Sequence, residues 1–316
     1  MLDELDIRIV GALQVDGRAP WSRIAAVLDE PERTVARHGN RLLERGIVTV
    51  TGLAPRGDAV LVRIRCAPGT ARVSAGTLAR RPDTVFTYVL TGSVDCVAEV
   101  ICPPDQLAGL VLEDLPGTAG LLESNTLPVL RYFRTVHEWR PPLLTPAQVH
   151  DLTEYPMITP SPSGAGAEPL DREAHTILTA LSGDGRRTFD EIARIAGISE
   201  PTARRRIEGL RRSGLVHIRA VVEPAVIGLP VEALLWIRIR PSNIERVGRE
   251  LLNSPYVRYA AVVMGDHQIL ADVAVPDKRR LYDLLTDPRW ATHVESVETS
   301  MVISALKRSG VPATAR

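Results

Sequence analysis

The sequence predicts an α+β chain built twice over: three helices followed by a βαββαβ unit, then the same succession again. Three observations predict it. Residues 2–48 and 170–216 align without a gap at a constant offset of 168, and 16 of the 47 aligned positions are identical. Each of these stretches shows helical periodicity, and each is followed by short alternating apolar runs broken by two amphipathic helical patterns. Between the halves, residues 140–169 carry seven prolines together with Ser161, Ser163, Gly164 and Gly166, the composition of a linker. The expected segments are a first helical domain (1–53), a first βαββαβ domain (54–139), a linker (140–168), a second helical domain (169–222), a second βαββαβ domain (223–306) and a flexible tail (307–316).

Bulk properties set the frame. At 316 residues, 45% hydrophobic and 24% charged, the chain resembles ordinary globular proteins and has ample material for more than one core. Its formal net charge is zero, so contact with a polyanion must come from a local patch. MLDELDIRIV lacks the basic start and apolar run of a secretory signal, and no stretch approaches 18 apolar residues, so the expectation is a cytoplasmic protein without membrane contact. Cys66, Cys96 and Cys102 are odd in number and set in apolar surroundings, which suits core thiols. No CxxC pair or histidine cluster suggests a metal, and no nucleophile–base pairing or phosphate loop suggests catalysis; no cofactor is expected.

The elements follow in order within each half. In the second, Asp171 caps a helix with Ile177, Leu178 and Leu181 on one face, and Asp184-Gly185-Arg186 ends it. A short helix buries Phe189, Ile192, Ala193 and Ile195. Gly197-Ile198-Ser199 turns the chain into a third helix, which Glu200-Pro201 opens. There Ala203, Ile207 and Leu210 face inward, while Arg204, Arg205, Arg206, Arg211 and Arg212 crowd the outside. Gly214 closes the helix. Strands are expected at 233–240, 259–265, 267–275 and 294–304, with helices at 243–254 and 277–287. The first half repeats them at 60–66, 84–92, 95–102 and 126–136, with helices at 71–81 and 105–115. That order is the ferredoxin-like split βαβ arrangement.

Three helices with a glycine turn before the last make a helix-turn-helix, and the third helix is the one that enters the major groove of DNA. An arginine-rich helix face is usually only a solvated surface. On this helix, arginine has a use: its fork meets guanine O6 and N7, or binds phosphate as a charge. The expected DNA contacts are Thr202, Arg204, Arg205, Arg206 and Arg211 in the second copy, and Arg33, Arg37 and Arg41 in the first. The first copy departs from the pattern. Asp29 and Pro31 replace Gly197 and Ser199, and Gly39 replaces the core Ile207, at a helix-propensity cost of about 1 kcal/mol. The second copy is therefore expected to read sequence, and the first to position or pair.

These residues resemble the Lrp/AsnC (feast/famine) family of bacterial transcriptional regulators: LDELDIRIV with its later DGR, GISEPTARRRIEGLRRSGLV, and the βαββαβ module after each. A typical member has one helix-turn-helix and one effector-binding (RAM) domain; this chain resembles two members fused in tandem. The resemblance implies face-to-face pairing of modules, homo-oligomers, and an amino acid or related metabolite bound near the loop between the second and third strands of a module. Carried onto this chain, that loop is Gly92-Ser93-Val94-Asp95 and Gly265-Asp266-His267-Gln268. Asp95 would suit an ammonium group, and Gln268 stands in its place in the second half. The bland alternative is a pair of polar turns. The resemblance leaves open whether modules pair within or between chains. Some relatives of this architecture are siroheme decarboxylases, for which His217, Arg219, His267, Tyr132 and Arg134 are the candidates here. A third reading is a ligand sensor that keeps its helix-turn-helix only as scaffold.

Overall fold

The computed structural model describes residues 2–53, 57–155 and 170–313. Residues 156–168 of the expected linker and the last three of the expected tail lie outside them. The chain forms two compact units, and like domains group together. One unit holds both helix-turn-helix copies with residues 140–155, and the other holds both βαββαβ modules.

The first unit contains α1 (Glu4–Val15), α2 (Trp21–Leu28), α3 (Glu32–Glu44) and β1 (Thr49–Leu53). Local chemistry starts these helices: Asp3 and Asp6 form a reciprocal capping box on α1. Ile9, Leu13, Ile24, Leu28, Val35 and Leu42 make the first copy's core, all at most 1% exposed. Asp29 takes the left-handed backbone that Gly197 takes in the second copy, so the sharp turn survives the change of residue. Gly39 is not a lost contact either. A Cβ there would lie 2.3 Å from the Trp21 ring, and Trp21 stands where the second copy has the smaller Phe189. Ring size and glycine compensate, which corrects the view of the first copy as degraded.

The second unit contains β2 (Ala59–Cys66), α4 (Ala71–Arg80), β3 (Thr84–Leu90) and β4 (Cys96–Ile101). A broken helical stretch follows, with α5 (Leu107–Gly109) running into a π-helical turn at Leu110–Asp114 and then β5 (Leu121–Arg134). The chain returns to the first unit for α6 (Pro146–Leu152), α7 (Arg172–Gly183), α8 (Phe189–Ala196), α9 (Glu200–Arg212) and β6 (His217–Val221). The second module comprises β7 (Val231–Arg238), α10 (Ile244–Leu251), β8 (Val257–Val263), β9 (Ile269–Val275), α11 (Lys278–Leu285), α12 (Pro288–Ala291), β10 (Ser296–Arg308) and β11 (Val311–Pro312).

The modules share strands. β5 pairs with β2 of its own module over its first half and with β8 of the other module over its second half. β10 does the same with β7 and then β3. The sheet therefore closes through β10–β3–β4–β2–β5–β8–β9–β7 and back to β10. Matching positions lie 173 residues apart, as Gly92 and Gly265 do, and the cross-module pairs Val129–Val263 and Val302–Leu90 obey that offset. One apolar core fills the ring, with Leu61, Phe86, Leu234, Trp236 and Leu270, and each module has a further core under its own helices. The three cysteines are free and buried, as expected.

Two expectations need correction. Residues 307–312 are no flexible tail: Lys307 and Arg308 are each 5% exposed, Lys307 Nζ donates to the Arg81 carbonyl at 2.6 Å, and Arg308 pairs with Glu232 at 2.6 Å. The first part of the expected linker is ordered as well. Thr145 and Gln148 make a capping box on α6, which packs on α1 and α2.

Candidate nucleic-acid interface and effector rim

In the first unit the two helix-turn-helix copies clasp each other. β1 and β6 form an antiparallel ribbon in which Thr51 faces Arg219, its own counterpart at the 168-residue offset, so a local twofold passes there. Gly17 N–H donates to the Ile218 carbonyl and Gly185 N–H to the Val50 carbonyl, both at 2.8 Å. A Cβ on Gly17 would come within 2.6 Å of Val50, and one on Gly185 within 2.8 Å of Ile218; only glycine permits this approach. The neighbouring arginines cross over. Arg18 donates to the Gly185 and Arg187 carbonyls at 2.9 and 2.8 Å and lies 4.6 Å over the Phe189 ring. Arg186 donates to the Gly17 carbonyl at 2.7 Å and lies 4.4 Å over Trp21. Burial, with Arg211 and Arg186 close by, lowers the Arg18 guanidinium to about 10. Sequence reading took these DGR turns as mere corners. Their identity in both copies was the signal that they do more.

The arginines expected at DNA divide into two groups. Arg204, Arg205, Arg33 and Arg37 are exposed on α9 and α3. Arg205 and Arg33 have no side-chain partner among the described residues. Arg204 meets Glu200 at 2.8 Å and covers the Phe189 ring at 4.2 Å. Arg37 touches only His38, at 3.5 Å. Thr202 sits half-exposed in the first turn of α9, its hydroxyl 2.9 Å from Ser199 Oγ.

The other three are spent inside the unit, which corrects their assignment as DNA contacts. Arg206 pairs with Asp171 at 2.7 Å and Glu173 at 2.6 Å, tying α9 to α7. Arg211 reaches Asp16 of the first copy at 2.7 Å and lies 4.0 Å over Tyr155. Arg41 grips Asp6 at 2.7 and 2.9 Å, beside His38 Nδ1 at 2.8 Å from the same carboxylate. Burial works to raise Asp6, yet hydrogen bonds from His38 and Arg41 outweigh it and hold the carboxyl below its ordinary value. Asp3, Asp6 and His38 have the spacing of a metal triad. The Arg41 guanidinium already neutralises these carboxylates, so the group is an ion-pair network.

In the second unit, Gly92 (φ 104°) and Gly265 (φ 124°) turn the two expected effector loops. Asp95 is not free for an ammonium group: its carboxylate accepts the Cys66 amide at 2.7 Å. Gln268 does the same job in the other module, accepting the Ile239 amide at 2.8 Å and donating to the Gly265 carbonyl at 2.9 Å. Both side chains cap a strand end, which corrects the inference of two unlike pockets drawn from this position. Asp266 is exposed, and its carbonyl accepts from Arg238.

Around these loops lies a cluster that sequence reading missed. Arg63 on β2 and Trp236 on β7 occupy matching positions, and the guanidinium lies 4.2 Å over the indole. Arg63 Nη2 is 3.2 Å from Ser93 Oγ and 3.4 Å from both Glu298 oxygens; Ser93 also donates to Glu298. His267 Nε2 stands 3.8 Å from Glu298. Burial, with Arg63 next, holds His267 below its usual pKa and so favours the neutral ring. Arg63 reads in sequence as one more outward strand arginine; only the closure of the ring turns it onto its counterpart.

The residues proposed for a tetrapyrrole have other duties. Tyr132 donates to Glu99 at 3.0 Å, and Arg134 caps the carbonyls of Leu252, Ser254 and Val257. Arg219 is buried in the ribbon and His217 is half-buried in the same strand.

Paired helix-turn-helix domains joined to paired βαββαβ modules define a class: helix-turn-helix regulators that carry a ligand-binding domain. Comparison with known proteins agrees. The AsnC-type helix-turn-helix model matches residues 2–42 and 170–211, and the Lrp/AsnC ligand binding domain model matches residues 232–312. An HTH-type transcriptional regulator of Pyrococcus furiosus is 31% identical over 140 residues, covering 44% of this chain and 95% of that protein. LrpA of Pyrococcus abyssi is 30% identical over 119 residues, covering 37% and 84%. Each such relative corresponds to one half of this chain. Among solved structures, the siroheme decarboxylase NirDL superposes with a TM-score of 0.62 over 99% of this chain and 95% of its own, at 15% identity, a likeness of fold alone. The chain belongs to the Lrp/AsnC family and is a tandem duplication within it.

Proposed function

We propose that this chain is a transcriptional regulator that carries both halves of an operator reader in one polypeptide. The observation that carries the reading is the pair of third helices, held on clasped domains with Arg33 and Arg37 exposed on one and Arg204 and Arg205 on the other. A pair of identical readers suits a palindrome, because protein and site then share a twofold. Here the frame is twofold but the readers differ, so the preferred duplex has two unlike half-sites. Arg204 and Arg205 are the base-reading candidates, and Arg33 and Arg37 the phosphate-holding ones.

The effector is a small metabolite with an anionic group, an amino acid among the candidates, bound at the rim of Arg63, Ser93, His267 and Glu298. Arg63 is the matching cation, and a carboxylate from the ligand takes the place that Glu298 holds beside it. Binding there changes operator affinity by linkage, and operator binding changes effector affinity by the same factor. Further association of whole chains, as the family implies, sets several reader pairs side by side.

Selection of duplexes from a random pool by the full chain tests this. We expect enrichment of a motif with two unlike halves, and loss of base preference in one half for Arg204→Ala/Arg205→Ala. Enrichment of a perfect palindrome, or of nothing, would contradict the proposal.

A further inference from the structure

The two helix-turn-helix copies match in backbone but not in cover. In the first, Leu143 and Leu144 seat on α1 at Gly11, where a Cβ would come within 3.0 Å of Leu144 Cγ and 3.1 Å of Leu143 Cβ. α6 then runs over α2: Gln148 Nε2 donates to the Val27 carbonyl at 3.3 Å, and Arg23 donates to the Asp151 carbonyl at 2.8 Å and meets Glu154 at 3.4 Å. Under this segment Val10, Ala12 and Ala19 are at most 1% exposed.

The corresponding place on the second copy is open among the described residues. Thr179 stands where Gly11 does, Arg187 where Ala19 does and Ile195 where Val27 does. Ile195 is 46% exposed, in the middle of two adjoining hollows of about 470 and 540 Å³ that share it and Arg187. Arg172, His175 and Ala180 complete the larger apolar side of the groove. Neither Arg172 nor Arg187 has an ion-pair partner among the described residues. An exposed isoleucine set among unpaired cations has the chemistry of a docking groove.

We propose that this groove between α7 and α8 docks a short, acidic, leucine-bearing helix of a partner protein. The occupant's chemistry is read from the segment that fills the first groove. Residues 141–155, PPLLTPAQVHDLTEY, carry Leu143, Leu144 and Leu152 with Asp151 and Glu154, and contain no lysine or arginine. The second groove adds Arg172 and Arg187 where the first has Glu4 and Ala19, so its preference for an acidic helix is stronger. The chain's own segment is already seated on the first copy, so the occupant comes from another molecule. Helix-in-groove docking of this kind needs only a few apolar anchors.

The peptide PPLLTPAQVHDLTEY, fluorescein-labelled, is the probe, titrated with the full chain and followed by anisotropy. We expect saturable binding that weakens at least about tenfold with Ile195→Asp, weakens with Arg172→Glu/Arg187→Glu, and weakens as salt rises. A thermal melt of the Ile195→Asp protein should match the wild type, because the side chain is exposed, and Thr179→Arg gives a second block of the groove. No binding, or binding that both blocks leave unchanged, would overturn the proposal. Self-association of the chain that Ile195→Asp abolishes would overturn it too, by assigning the groove to a second copy.

Discussion

Arginine side chains that look alike in sequence separate by what holds them. Arg205 and Arg204 are exposed on α9, so replacing both with alanine should leave the melting temperature nearly unchanged. It should lower operator affinity and reduce the salt slope by about one per lost phosphate contact. Arg206 and Arg211 are held by carboxylates at 2.6–2.7 Å, so alanine there should cost stability, on the order of 1–3 kcal/mol for a partly buried charged hydrogen bond. Parallel thermal melts and DNA titrations separate the two groups, and equal stability losses in both would refute the division. Gly39 gives a sharper case. Gly39→Ala puts a methyl against the Trp21 ring and should destabilise by about 1–3 kcal/mol, and adding Trp21→Phe should recover most of the loss in denaturant unfolding. Sequence showed which residues were cationic and which helix they lay on. It did not show which carboxylates come from another helix or the other copy, because those contacts span up to 195 residues.

The buried charges inside the ring carry a pH signature. Asp272 is enclosed with Arg258, Glu232 and Arg308, and burial pushes its carboxyl up to about 6, with Glu232 adding to the rise and the arginines opposing it. An unfolded aspartate titrates near ~3.9. The folded state therefore binds this proton more tightly, and the group's contribution to stability grows as pH falls from about 6 toward about 4. Wild type should gain on Asp272→Asn by a few degrees of melting temperature, roughly, across that window; parallel melting curves would refute it.

At the scale of elements, the helices, their caps and the strand order were legible, because periodicity and capping residues act locally. Thr188 with Glu191 and Asp171 with Ala174 cap their helices as the sequence suggests. The joining of elements across copies was not legible. β5 and β10 run to Arg134 and Arg308 because their far halves pair with the other module, a partner that alternation along one strand does not name. The DGR turns are the clearest instance. Arg18 and Arg186 each bond two carbonyls of the other copy and stack on its aromatic ring. Arg18→Ala and Arg186→Ala should each loosen the clasp. We expect both to lower DNA affinity although neither side chain faces DNA, with hydrogen exchange rising at β1 and β6. Unchanged protection of that ribbon would contradict the clasp. The candidate effector rim was half legible: its glycine turns were, while Asp95 and Gln268 proved to be strand caps and Arg63 took the central position.

At the scale of the whole molecule, duplication places in one chain the pairings that the family implies between chains. The helix-turn-helix copies pair with each other, and so do the βαββαβ modules. A duplicated gene is free to let its two readers diverge while the frame that pairs them is kept, and Gly17-Arg18 with Gly185-Arg186 are identical while α3 and α9 are not. The most direct test is a titration of the purified full chain onto the DNA upstream of its own gene, with a scrambled duplex as competitor, at two salt concentrations. The account predicts specific binding that weakens with salt, saturates at one chain per site, and is lost in the Arg204→Ala/Arg205→Ala protein. Absence of binding even at low salt, or binding that those two changes leave intact, would contradict it.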